Sequence, residues 1–150
     1  MRWMAGLGYC LLLSCAQVKN THSPDYLVQD DGIQQPLIEV ETKLDEGARL
    51  FSSREAGHCV LCHQIDSLDA PFQGNLGPDL STVGSRLSPA QLRLRIVDAS
   101  RLNPGTIMPP YYRTAGLTQV AVESKNTPVL NRRQVEQLVN YLAALQDEKK

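Results

Sequence analysis

The run Cys59-Val60-Leu61-Cys62-His63 constrains this 150-residue chain more than any other feature. Two thiols three positions apart can add across the two vinyl groups of one haem as thioethers. The residue after the second thiol is then held under the iron. Zinc, redox-pair and disulfide readings compete for the same cysteines. A structural zinc site needs four ligands, and His22 and His58 are the further nitrogen donors the chain offers. A thioredoxin-like pair follows a strand in a βαβ unit, whereas helix and loop are expected ahead of Cys59. A plain disulfide leaves His63 unexplained. The residues point to one covalently attached haem c, with His63 as its proximal ligand.

The N-terminus reads as an export signal occupying residues 1–16. Arg2 supplies a positive charge, and Trp3 to Leu13 is an uncharged, mostly apolar stretch too short to span a membrane. Two processing readings stay open. Leu12-Leu13-Ser14-Cys15 resembles a bacterial lipobox, which would leave Cys15 as a lipid anchor, whereas Ser14-Cys15-Ala16 offers an ordinary cleavage site after Ala16. Both imply the periplasm. Of four cysteines, Cys10 and Cys15 fall in this leader, so Cys59 and Cys62 are the pair in the body of the chain.

A net charge of −1 gives no reason to expect nucleic-acid binding. Residues 17–38 lack an apolar period and read as a flexible linker, with one domain over 39–150. Aromatics make up 5 % of the chain, with two Phe, so its core is thin unless a buried porphyrin fills it.

Three helices are expected in that domain. The first runs from about Thr42 to Arg54, and Gly47, four residues before Phe51, marks a close helix crossing. Ser88-Pro89-Ala90-Gln91 is a capping box with Pro at the first helical position, opening a helix that fades near Ser100. Asn131-Arg132-Arg133-Gln134 repeats that logic, and Val135, Leu138, Val139, Leu142 and Leu145 follow at helical spacing, flanked by charged or amide residues. The long irregular stretches between helices suit loops that wrap a ligand. A short apolar piece at Leu117 to Val122 interrupts the second of them.

Met1 and Met4 leave with the leader, so Met108 is the methionine that remains. It sits among Pro104, Pro109 and Pro110, and is the expected distal iron ligand, with His22 the alternative. A methionine outside such a segment is ordinarily core filling. His/Met ligation raises the reduction potential and suits electron transfer. Arg86, Arg93, Arg95, Arg101 and Arg113 are each ordinary surface charges by default; Arg101 and Arg113 flank the Met108 segment and are preferred for haem propionates.

These features resemble the class I cytochrome c fold, an all-α arrangement of three to five helices with haem-wrapping loops. The resemblance implies that Gly47 and Phe51 pack across Tyr141 and Leu142. It also implies that the carbonyl of Pro78, in Gly77-Pro78, accepts a hydrogen bond from His63. A narrower resemblance lies in Phe72-Gln73-Gly74-Asn75-Leu76-Gly77-Pro78-Asp79-Leu80. It continues in the run from Gln91 through Leu102-Asn103-Pro104 to Met108-Pro109-Pro110-Tyr111-Tyr112-Arg113. Both look like the SoxX family, the monohaem subunits of SoxAX sulfur-oxidation cytochromes. That family implies a SoxA partner and the SoxYZ carrier protein. With SoxA it forms an L-cysteine S-thiosulfotransferase that joins thiosulfate to a SoxYZ cysteine, and a soluble cytochrome c accepts the electrons. No residue here reads as catalytic; a free-standing class I carrier is the alternative.

Overall fold

The computed structural model describes residues 25–147; the leader, Cys15, His22 and the start of the 17–38 segment lie outside the described residues. Three α-helices carry the fold: α1 (Leu44–Ser52), α2 (Pro89–Asp98) and α3 (Arg132–Ala144). Ahead of them stands a small antiparallel hairpin, β1 (Val28–Gln29) and β2 (Gly32–Ile33), pairing Val28 with Ile33 and Gln29 with Gly32.

α2 and α3 begin where their caps dictate. Ser88 Oγ accepts from Gln91 N at 3.3 Å while Gln91 Oε1 accepts from Ser88 N at 2.8 Å. Asn131 and Gln134 make the same reciprocal pair, both bonds at 2.9 Å. Each cap satisfies N–H groups that the first helical turn leaves unpartnered, worth about 1 kcal/mol. α1 has no side-chain cap and is shorter than its sequence suggests. Its entry is set by tertiary structure instead, because Lys43 N donates to Gln137 Oε1 of α3 at 3.3 Å.

α1 lies directly on α3. A Cβ on Gly47 would overlap Tyr141 Cβ and stand 2.6 Å from the Gln137 carbonyl oxygen, so only glycine permits this approach. Phe51 is buried there, its ring 6.3 Å from that of Tyr141 and tilted by 59°. Leu94 and Val97 of α2 join Val135, Leu138 and Val139 of α3 in the same core.

The segment before α1 departs from the linker expectation. From Asp25 it packs against the helices, and Ile33 is 1 % exposed. The cause is polar as well as apolar. Arg93 on α2 and Glu136 on α3 are both buried and paired through two bonds of 2.7 and 2.8 Å. Arg93 Nη1 then donates to the Ile33 carbonyl at 2.7 Å, and Glu136 Oε1 accepts from Leu37 N at 2.9 Å. The charged and amide residues that flank the apolar positions of α3 thus include Glu136 and Gln137, which are buried and hold this segment as a strap. The piece at Leu117 to Val122 forms no strand or α-helix; a 3-10 turn, Val122–Ser124, begins at its last residue, and the residues of that turn are exposed.

Candidate functional site

A 3-10 turn, Cys59–Leu61, carries the cysteine motif. Cys62 N and His63 N both donate to the Cys59 carbonyl, at 3.1 and 2.9 Å, which brings both thiols and the imidazole onto one tight turn. Cys59 and Cys62 are not bridged to each other. Burial pushes the Cys59 thiol up to about 12, opposed by a backbone hydrogen bond and helped by a smaller push from Cys62. His58 is exposed, on a left-handed backbone with φ 55°.

The loop after the motif fixes the imidazole. His63 Nδ1 lies 2.8 Å from the Pro78 carbonyl oxygen. A carbonyl can only accept, so Nδ1 carries the proton and Nε2 of the neutral ring keeps its lone pair. Gly77 N donates to the Cys62 carbonyl at 2.7 Å and Leu80 N to Gln64 O at 2.9 Å, tying the loop beneath the ring. A Cβ on Gly77 would stand 2.6 Å from His63 Nδ1, so the backbone itself forms the seat of the imidazole.

Met108 is half-buried and comes from the other long loop, its N–H donating to Thr106 Oγ1 at 3.1 Å. That loop is anchored just beyond Met108: Tyr111 N donates to Ile96 O at 3.1 Å and Leu130 N to Tyr111 O at 2.9 Å. Arg113 Nε closes the segment on buried Asp98 at 2.6 Å. Burial raises the Tyr111 phenol above its ordinary range, with both motif thiols adding to the shift.

Cys59, Cys62, His63 and Met108 share the lining of one cavity of about 740 Å³, together with aliphatic side chains such as Leu80, Leu87, Ile96 and Leu142. The volume lies within the range of cofactor sites, and the wall is apolar apart from a few placed polar groups. The donor set suits a haem: two thiols for covalent attachment, an imidazole nitrogen with its lone pair free and a thioether as soft second donor. Among the described residues no three His, Cys, Asp or Glu side chains converge as a metal cage.

The arginines sort differently from their sequence reading. Arg93 is consumed by Glu136, Arg113 by Asp98, and Arg101 is exposed and outside the cavity lining. Arg86 and Arg95 are the two in the lining, oriented by bonds to Asp79 O at 2.7 Å and Gln91 O at 2.9 Å. Nearness to Met108 in the chain does not decide which arginine lines the cavity, because α2 carries Arg95 there with Ile96.

A family model described as cytochrome c matches residues 44–146. A chain in the crystal structure of SoxXA from P. pantotrophus superposes with a TM-score of 0.74 at 29 % identity, covering 81 % of this chain and 95 % of that one. No curated protein matches. The SoxX likeness read in Phe72–Leu80 and Gln91–Arg113 is therefore met by a likeness of fold, all-α with three helices around wrapping loops.

Proposed function

This chain belongs to the cytochrome c family, and on that premise we propose that it is the electron-relay subunit of a two-subunit thiosulfate-oxidising complex. Membership carries covalently bound haem c and a role in electron transfer. The finer reading is one haem, which thioethers from Cys59 and Cys62 would tether and whose iron His63 Nε2 and Met108 Sδ would ligate. Pro78 holds the imidazole in the tautomer that frees Nε2 and makes it a better donor.

The bound haem supplies a reversible one-electron iron couple. The protein's part is orientation and exclusion. Pro78 and Gly77 fix the imidazole plane, the anchored 101–113 segment holds the thioether, and the apolar wall keeps water from the iron. Desolvation and a thioether ligand both favour the less charged, reduced state, so the site accepts electrons rather than activating oxygen.

One observation carries the complex: the 29 % likeness to a SoxXA chain over almost all of that chain's length. On this reading SoxA is the partner. The pair joins thiosulfate to a cysteine of the SoxYZ carrier, and electrons leave through this chain to a soluble cytochrome c. The domain is residues 39–150, with the packed strap from Asp25 added to it, and the leader at 1–16 sends the chain to the periplasm. No helix among the described residues is long and apolar enough to cross a membrane. Lipid attachment at Cys15 is read by mass spectrometry of the purified chain.

The test is purification of the tagged chain from its native host, followed by staining for covalent haem. A second, larger haem band in equal amount, and thiosulfate oxidation with the carrier protein, are expected. A single small haem band at every salt concentration would make it a free-standing carrier.

A further inference from the structure

The chain has two phenylalanines, and they are used in contrary ways. Phe51 is 1 % exposed in the core, whereas Phe72 is 90 % exposed. Phe72 also sits at φ 57°, a backbone conformation unfavourable for a bulky side chain. Its surroundings are not loose. The next residue, Gln73, donates to the Ile65 and Leu68 carbonyls at 3.1 Å each and accepts from Ile65 N at 2.8 Å. Gly74 N donates to Val60 O at 2.9 Å, and Gly77 N to Cys62 O at 2.7 Å, so residues 72–77 run against the haem-motif turn. The same two joined segments carry Leu61 at 44 % and Leu76 at 68 % exposure. Leu76 lines the cavity mouth as well.

The stretch that carries this ridge is rich in carboxylates. Residues 55–85 contain Glu55, Asp66, Asp69 and Asp79, with Arg54 and Arg86 at its two ends and Arg86 bonded to the Asp79 carbonyl, so Asp66 and Asp69 are the acidic pair nearest Phe72 in the chain. All four carboxylates are exposed. A strained, pinned aromatic with apolar neighbours and an acidic border is costly for a surface that faces only water.

We propose that Phe72, Leu76 and Leu61 form the docking surface for the haem-bearing partner subunit, whose facing patch is apolar with a basic rim. This rests on the two-subunit reading above and adds where the partner sits. Phe72 is the anchor that enters the partner. Leu76 brings the contact to the edge of the haem cavity, so docking shortens the electron path. The aspartates steer a cationic rim into register.

The experiment measures binding of the haem-loaded chain to the purified partner subunit by titration. Asparagine tolerates left-handed backbone, so Phe72→Asn removes the anchor without straining the loop. The Phe72→Asn variant should weaken binding at least tenfold, with the haem spectrum and melting temperature unchanged. Val122→Ser, on a remote residue 78 % exposed, should leave binding as it was. Asp66→Lys with Asp69→Lys should slow association at low salt only. A complex indifferent to Phe72→Asn would overturn the docking surface and leave the two-subunit reading standing. So would a variant that keeps the partner but reduces a small soluble cytochrome more slowly, since the patch would then serve the acceptor. If the unaltered chain binds no haem-bearing partner at all, both readings fall together.

Discussion

The crossing of α1 on α3 and the cavity between the two long loops are built differently. At the crossing, Gly47 brings backbone against the Tyr141 side chain, Phe51 fills the space beside it, and Glu136 and Gln137 satisfy the incoming strap. At the cavity, Gln73, Gly77 and Tyr111 pin the backbone of the walls, while Leu87, Ile96 and Met108 are among its lining. The first region carries its own contacts. The second holds its loops by hydrogen bonds and offers its apolar lining to a large apolar group. Ligand binding and folding are therefore coupled most strongly in the loops.

The largest expected effect comes from withholding that group. The double variant Cys59→Ala, Cys62→Ala, made without haem, should lose most of its helical circular dichroism, because a thin core then spans a cavity. Native-like helicity would show that the crossing alone can hold the fold. Next, Glu136→Ala leaves the buried Arg93 guanidinium without its counter-charge and Leu37 N–H without its acceptor. Urea unfolding of the haem-loaded protein should register a loss of about 3–5 kcal/mol. A loss near zero would mean that the strap is not held by this pair.

Gly47→Val should cost about 1–3 kcal/mol by forcing α1 from α3, read as a lower melting temperature with the haem spectrum intact. A spectrum that moves with it would show that crossing and cavity are mechanically joined. Met108→Ala should do the reverse. Stability falls by about 1 kcal/mol at this half-buried site, while the potential drops and the reduced protein begins to bind carbon monoxide. An unchanged potential would remove Met108 from the iron.

The smallest effect concerns alkaline pH. Burial raises the Tyr141 phenol above its ordinary 10.0. The folded state then holds its proton longer than the unfolded state does, so its contribution is complete below pH 10. It is lost as pH rises from there through the folded value. Tyr141→Phe should flatten that decline; an equal slope in both proteins would assign it to the other buried phenols.

Much of the site was legible because its signals are local. The Cys59-to-His63 run, the Ser88 and Asn131 caps and Gly47 before Phe51 each state their role within a few residues of chain. The caps hold in the structure because a helix terminus has nearby N–H groups that only neighbouring side chains can reach. The α1 boundaries were read too wide, since that helix starts where Gln137 takes the Lys43 N–H rather than at a local cap.

What sequence by itself determined is the chemistry available: two thiols, one imidazole and one thioether with proline-stiffened surroundings, in a chain whose apolar content wants a cofactor. What tertiary structure decided is pairing over distance. Arg93 and Glu136 stand 43 residues apart, and nothing local distinguishes them from surface charges. Their mutual burial turned a linker into a strap. The choice of Arg86 and Arg95 over Arg101 and Arg113 at the cavity followed from the same cause, since a charge's environment depends on what the fold carries to it. Bonding capacity is a property of the residue, whereas burial and partner are properties of the packed chain.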